Sequence, residues 1–126
     1  MINIIIQGLG FVGSAMATAI ASSSNDLQKF NVIGIDLPND IGKKRIDSIN
    51  RGEFPFKTND ESLISMLKKA VEKGDLKATS DTSIYEEADV VLVSVNCDLI
   101  ECNNDKIIDL ENFKNSIGEI SNRVRE

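Results

Sequence analysis

Histidine is absent from the 126-residue chain, and cysteine occurs only twice. The lack of histidine excludes imidazole base catalysis and removes the commonest metal ligand in proteins. Cys97 and Cys102 form a C-x₄-C pair with no other soft ligand beside them, so we expect two reduced thiols and no metal site. Two cysteines are also too few to frame a small secreted domain.

Long apolar runs and an excess of basic residues are missing too. No run is long enough to cross a bilayer and no signal peptide is recognisable, which disfavours a membrane partner. Acidic residues outnumber basic ones 20 to 14, so charge disfavours a nucleic-acid partner. A hydrophobic content of 41% is ordinary for a globular protein. We therefore expect one acidic domain over residues 1–126, located in the cytoplasm.

Apolar strand-like segments alternate with helix-like segments along the chain. Such alternation is typical of parallel βαβ units with helices on both faces of the sheet. The fold class predicted is α/β, with a Rossmann-type doubly wound parallel sheet in three layers. The predicted strands are Met1 to Gln7, Asn31 to Asp36, Leu76 to Thr79 and Ala88 to Val95. The predicted helices are Ser14 to Ser22, Lys43 to Asn50, the segment after Asp60, and Leu110 to Val124.

A glycine loop follows the first predicted strand directly and opens the first helix. Gly8 permits a tight turn, Gly10 lets the backbone approach a pyrophosphate, and Gly13 lets the helix pack closely on the strand. The amides near Phe11 and Val12 would receive the phosphate charge at the helix N-terminus. The alternative is a glycine turn that binds nothing.

An acidic residue, Asp36, ends the second predicted strand, 23 residues after Gly13. A carboxylate there accepts hydrogen bonds from an adenosine ribose and repels a 2′-phosphate, and Leu37-Pro38 offers no arginine to a phosphate. The predicted cofactor is therefore NAD rather than NADP. Arg45 either reaches a cofactor phosphate or ribose or belongs to a solvated helix face.

The fourth strand supplies the second ligand-facing segment. In an open parallel sheet, ligands lie outside the carboxyl ends of the strands near the switch point. Ser94, Val95, Asn96 and Cys97 fall there. The alternative for Asn96 is a simple turn former.

Several segments in order resemble the UDP-glucose/GDP-mannose dehydrogenase family over nearly the whole chain. The glycine loop is shared with many dehydrogenases, whereas the later segments are more specific. The segments are Gly8 to Gly13, Val32 to Asp36, Arg45-Ile46 with Ile49 to Gly52, Gly74 to Thr79, and Ala88 to Val91 leading to Val95-Asn96.

The resemblance implies a full-length enzyme that oxidises the C6 alcohol of a nucleotide sugar to a carboxylate with two NAD molecules, in polysaccharide biosynthesis. The substrate would be a UDP- or GDP-sugar. NAD contacts are implied for the Gly8–Gly13 loop, Asp36, Arg45 and the Val95-Asn96-Cys97 turn.

The chain departs from the family in three places. Lys57 to Leu63 replaces a segment that usually ends in Glu-Pro-Gly-Leu, and the loop between Asp36 and Arg45 is longer than usual. Cys97 occupies a cofactor-side threonine position and is not the family's nucleophile. The family's catalytic residues lie beyond Glu126. We therefore expect an N-terminal NAD-binding part, truncated after about four strands, with no catalytic residue of its own.

Two alternatives remain at this stage: a nucleotide-binding or regulatory module without chemistry, and the N-terminal domain of a β-hydroxyacid dehydrogenase. In the strand order 3-2-1-4-5-6, the absence of strand five leaves Val90 to Val95 as an unprotected edge. Unprotected edges pair with other chains, so we also predict a homo-oligomer formed through this strand.

Overall fold

Strands and helices alternate in the computed structural model. The structure describes residues 1–124. The predicted domain extends to Glu126, so its last two residues lie outside the described part. No helix in the described part is long and apolar enough to span a bilayer. In chain order the elements are β1 (Ile2–Gln7), α1 (Phe11–Ser22), β2 (Phe30–Ile35), α2 (Asp40–Asn50), α3 (Glu61–Glu72), β3 (Leu76–Thr79), a 3₁₀ helix (Thr82–Glu87), β4 (Val90–Val93), β5 (Leu99–Cys102), β6 (Asp105–Ile108) and α4 (Glu111–Ser121).

The central sheet has four strands in the order β3-β2-β1-β4. All three pairings are parallel, with Ile4 of β1 opposite Val32 of β2 on one side and Val90 of β4 on the other. Because every strand runs in the same direction, all four carboxyl ends meet at one edge of the sheet. The predicted Rossmann-type α/β fold is confirmed, and so is the order 3-2-1-4 of its four strands.

Both faces of the sheet are covered, which gives three layers. Ile4 and Ile6 of β1 point to the face covered by α1, α2 and α3, in a core that includes Leu67. Ile5 points to the other face and packs with Tyr85 of the 3₁₀ helix and Ile120 of α4. This alternation along one strand confirms that β1 is buried on both faces.

The predicted fourth strand, Ala88 to Val95, is wrong at both ends, because β4 covers only Val90–Val93. At its start, the Ala88 amide donates to the Tyr85 carbonyl and closes the 3₁₀ helix. At its end, the Ser94 amide donates to the Gln7 carbonyl, and β1 has no further residue to pair with. The chain therefore leaves the sheet at Ser94.

An antiparallel hairpin, β5–β6, precedes α4 and was not predicted. Its turn residues, Asn103 and Asn104, have φ angles of 51° and 65°. Two consecutive positive φ angles characterise the type I′ hairpin turn, which asparagine tolerates better than most residues. Every residue of both strands is exposed.

Three helix starts also differ from prediction. α1 begins at Phe11 rather than Ser14, because Gly10 serves as its N-cap. α2 begins at Asp40 rather than Lys43, because the Asn39 side chain accepts a hydrogen bond from the Gly42 amide. α4 covers Glu111–Ser121, inside the predicted Leu110 to Val124. Only α3 begins at its predicted position, where the Asp60 carboxylate accepts from the Leu63 amide.

Tyr85 is fully buried between the 3₁₀ helix and the sheet. Its hydroxyl group has no hydrogen-bond partner within the described part of the chain. Burial raises the pKa of this hydroxyl well above its usual range, and the negative charge of Glu119 acts in the same direction. Tyr85 therefore contributes its ring to the core and is held neutral.

We expect Tyr85→Phe to raise the free energy of unfolding at neutral pH by about 1 kcal/mol, because it removes a buried hydroxyl without a partner. The advantage should grow above pH of about 10, where the unfolded tyrosine ionises and the folded one resists ionisation. The raised folded-state pKa means that wild-type stability is lost as the pH rises through this range. Urea unfolding of both proteins at neutral pH and at about pH 11 tests this. A variant less stable than wild type at neutral pH would contradict it.

Candidate cofactor site

A cleft of about 600 Å³ lies at the carboxyl ends of the four parallel strands. Clefts that hold small ligands measure about 300–1,000 Å³, so this one is large enough for a cofactor. It is lined by Gln7, Gly8, Gly10, Ile35, Asp36, Leu37, Pro38, Arg45, Ser80, Thr82, Ser94, Val95, Asn96, Asn112, Asn115, Ser116 and Glu119. Seven of the residues predicted to face a ligand are in this set: Gly8, Gly10, Asp36, Arg45, Ser94, Val95 and Asn96.

Gly8 and Gly13 allow three segments to meet without intervening side chains. Gly8 has a φ angle of 95°, and a Cβ there would collide with the Ser94 carbonyl. A Cβ on Gly13 would collide with the Gly8 carbonyl oxygen. The first and third glycines of the loop therefore have the tight-turn and close-packing roles that the sequence predicts.

Hydrogen bonds hold the glycine loop in place from both sides. The Gly8 amide donates to the Ile35 carbonyl at 2.8 Å, and the Leu9 amide donates to Oδ2 of Asp36 at 3.1 Å. From α1, the buried Ser14 hydroxyl donates to the Leu9 carbonyl. The loop is thus fixed before any ligand arrives.

The N-terminus of α1 has no acceptor for its first amides. Within residues 1–124, the amides of Phe11, Val12 and Gly13 donate to no protein atom, and Gly10 has no side chain to cap them. By contrast, side chains cap both α2 and α3. Unpaired amides and the helix dipole together favour an anion at this position.

Gly10 differs from the other two glycines of the loop. A Cβ placed on it would find no atom within 4 Å beyond those of Gly10 and its two chain neighbours. Gly10 lines the cleft beside the open start of α1, so the fold itself gives no reason for the absence of a side chain. The space left free suits the close approach of a ligand's phosphates, and in this respect the loop fits a dinucleotide.

Asp36 is placed at the carboxyl end of β2, with its side chain only 10% exposed. Its Oδ2 accepts from the Leu9 amide and from Nη1 of Arg45 at 3.3 Å, and its Oδ1 accepts from the Leu37 amide at 2.8 Å. A carboxylate has about four acceptor positions. These contacts use three, so Oδ1 retains one for a ligand hydroxyl.

Arg45 is held against this carboxylate by a second contact. Its guanidinium group lies 5.3 Å from the centre of the Phe56 ring, a cation–π distance. Phe56 in turn packs with Phe54 and with the half-exposed ring of Phe11. Arg45 is therefore a positioned member of the cleft wall rather than part of a solvated helix face.

The remaining predicted residues are distributed differently. Val95 and Asn96 line the cleft, whereas the Cys97 side chain is exposed and does not. The side chains of Phe11 and Val12 also lie outside the lining, so only their amides face an incoming anion. The structure thus brings together the glycine loop, Asp36, Arg45 and Val95-Asn96, and leaves Cys97 apart.

Sequence reasoning missed two groups of lining residues. Ser80 and Thr82 follow β3, whose carboxyl end reaches the same edge as that of β2. That position was a usable signal. The other group lies on α4 and consists of Asn112, Asn115, Ser116 and Glu119. Their placement depends on how α4 docks on the sheet.

The sequence of residues 2–126 matches the family model described as UDP-glucose/GDP-mannose dehydrogenase family, NAD binding domain. The chain belongs to this family. The predicted relationship and the predicted cofactor, NAD, are confirmed by this match. The β-hydroxyacid dehydrogenase alternative is correspondingly disfavoured.

Among curated proteins, the chain is 34% identical over 118 residues to UDP-N-acetyl-D-mannosamine dehydrogenase of Methanocaldococcus jannaschii, covering 94% of this chain and 24% of the relative. A solved ternary complex of GDP-mannose dehydrogenase from Pseudomonas aeruginosa is 28% identical with a TM-score of 0.75, covering 93% and 24%. NDP-N-acetyl-D-galactosaminuronic acid dehydrogenase from Methanosarcina mazei Go1 shares the fold, with 24% identity, a TM-score of 0.80 and coverage of 95% and 24%. The chain thus spans about a quarter of the length of these relatives.

We expect Gly13→Ala to lower the free energy of unfolding by about 1–3 kcal/mol, because the added methyl group must displace the Gly8 carbonyl. Gly10→Ala is the matched control, since a methyl group there meets no protein atom. It should cost less than about 1 kcal/mol. Denaturant unfolding of both variants measures the difference. Equal losses in the two variants would contradict the packing role of Gly13.

Proposed function

We propose that this chain is the NAD-binding part of a nucleotide-sugar dehydrogenase that oxidises the C6 alcohol of a UDP- or GDP-sugar to a carboxylate with two NAD molecules. One observation carries the proposal: the uncapped start of α1 and the Asp36 carboxylate face one cleft. An anion site and a hydroxyl acceptor in one cleft match the diphosphate and ribose of NAD. Family membership supports the same conclusion.

Different residues of the cleft bind different parts of the cofactor. The glycine loop and the amides of Phe11 and Val12 bind the pyrophosphate. Asp36 accepts from the adenosine ribose, and Arg45 orients that carboxylate. Val95 and Asn96 border the path toward the nicotinamide end, and Cys97 follows them in the chain without lining the cleft. When bound, NAD accepts the hydride removed from the sugar alcohol.

The preference for NAD over NADP follows from the charges around Asp36. A 2′-phosphate would approach the negatively charged Asp36 carboxylate, which already accepts hydrogen bonds from three donors. Arg45 is the nearest candidate to offset that charge, but it is engaged by Asp36 and Phe56. Electrostatic repulsion therefore opposes NADP.

We further propose that residues 1–126 form one cofactor domain and that catalysis depends on groups outside it. Residues 1–124 contain no histidine and no cluster of potential metal ligands. Both cysteines are free and exposed, which supports a reducing, cytoplasmic location. Oxidised nucleotide sugars are building blocks of polysaccharides, and polysaccharide biosynthesis is the process we propose.

NAD titrated calorimetrically into the chain should bind at least tenfold more tightly than NADP. Asp36→Asn should weaken NAD binding about tenfold, because a neutral amide forms a weaker hydrogen bond with the ribose than a carboxylate does. The preference for NAD over NADP should shrink in the same variant, since the repelling charge is gone.

The matched control is Asp47→Asn, which neutralises an exposed carboxylate on α2 that does not line the cleft. It should bind NAD as the wild type does. Circular dichroism of each variant verifies that it folds. Equal affinity of the wild type for NAD and NADP, or unchanged NAD binding by Asp36→Asn, would contradict the role of Asp36.

The edge strand β4 supports the proposal that the chain self-associates. In the described part of the chain β4 pairs with β1 alone, and Val90 is 42% exposed.

We expect a dimer that dissociates on dilution, and Val90→Lys should favour the monomer because an edge lysine opposes strand pairing. Sedimentation velocity over a concentration series measures both. Val124→Lys, at another exposed valine, is the control. A wild-type chain that is monomeric at every concentration would contradict the proposal.

A further inference from the structure

One face of α4 is polar where it borders the cleft. Asn112, Asn115, Ser116 and Glu119 recur at the spacing of a single helix face and all line the cleft. Ser116 uses its hydroxyl to donate to the Asn112 carbonyl. The Asn115 and Glu119 side chains are exposed, and they are neighbours four residues apart. The cleft therefore has a wall that can form hydrogen bonds as well as apolar contacts.

The C-terminal half of α4 lies beside the segment that follows β3. Ile120 packs in the same cluster as Tyr85 of the 3₁₀ helix. Hydrogen bonds from Ser83 hold the pKa of Asp81 below its usual value. The positive charge of Arg123 lowers it further, so Arg123 lies near Asp81. Glu119 lines the cleft and accepts from Arg123, and its charge acts on Tyr85. Glu119 therefore lies near the segment that follows β3.

The strand order assigns the parts of a dinucleotide to positions along the sheet edge. In the proposed function, the glycine loop after β1 would hold the phosphates and Asp36 after β2 would hold the adenosine ribose. β3 is the next strand beyond β2, and Ser80 and Thr82, which follow it, line the same cleft as Asp36. A base attached to that ribose would therefore meet this part of the lining, to which Glu119 also belongs.

Glu119 has an acceptor to spare. Its Oε1 accepts from Nε of Arg123 at 3.3 Å, and its Oε2 has no partner within residues 1–124. The amino group of adenine is a hydrogen-bond donor, whereas a carbonyl oxygen replaces it in hypoxanthine. Leu37 and Val95 line the same cleft and offer apolar surface to the faces of a flat ring.

We propose that Glu119 is a specificity-determining residue that accepts a hydrogen bond from the exocyclic amino group of adenine, with Asn115 beside it at the edge of the base. The inference rests on the proposed function, because it requires the cofactor in this cleft. In this proposal, Glu119 selects the adenine base, and Asp36 selects the ribose that has no 2′-phosphate.

Calorimetric titration with NAD and with nicotinamide hypoxanthine dinucleotide tests the proposal. The wild-type chain should bind NAD about tenfold more tightly, because a charge-assisted hydrogen bond is lost with hypoxanthine. In Glu119→Gln the preference for NAD should fall from about tenfold to no more than about threefold. A neutral amide can present either its oxygen or its NH₂ group to the base, so it can pair with adenine or with hypoxanthine. Glu119→Asp keeps the carboxylate and should retain part of the preference.

Glu111→Gln is the control, since this carboxylate lies on the same helix but does not line the cleft. It should keep the wild-type ratio. If NAD binds but the wild-type chain shows no preference, or Glu119→Gln keeps the full preference, this inference is overturned and the proposed function stands. If neither dinucleotide binds, the proposed function is overturned and this inference with it.

Discussion

The close approach of three backbone segments at Gly8 determines the geometry of the whole cleft. The Gly8 carbonyl contacts α1 at Gly13, and the α-carbon of Gly8 contacts the Ser94 carbonyl at the end of β4. These contacts set the distance from the sheet to the open start of α1. They also direct the chain out of the sheet after Ser94, toward Val95 and Asn96. A side chain at either glycine would separate the open start of α1 from the rest of the cleft.

Asp36 links the stability of this arrangement to the proposed cofactor site. The carboxylate accepts from the Leu9 amide of the glycine loop and from the Arg45 side chain, and it keeps one acceptor position for a ligand. A single residue thus connects β2, the loop after β1 and α2. The negative charge of Asp36 is partly offset by Arg45. This explains how an acidic residue that is nine-tenths buried is tolerated at a strand end.

Most of the fold could be predicted because its signals are local. The buried strand before Gly8 and the acidic residue Asp36 each follow from composition and spacing over a few residues. The Asn103-Asn104 turn is a local signal too, for the β5–β6 hairpin, although the sequence analysis predicts no strand on either side of it. The place of Glu119 in the cleft lining could not be predicted. It depends on the docking of α4 against Tyr85 and the sheet, which is a tertiary contact.

The β5–β6 hairpin makes this cleft adjustable without a change to the sheet. It connects β4 to α4, and none of its strand residues is buried. Extra residues at the Asn103-Asn104 turn would add only a small loop-closure entropy, about 0.6 kcal/mol for each doubling of a loop's length. Insertions, tags or reporter groups are therefore best tolerated at this turn, on the segment that leads into a wall of the cofactor cleft. Because the hairpin residues are exposed, substitutions and insertions there can change this wall of the cleft during evolution without changing the strands of the sheet.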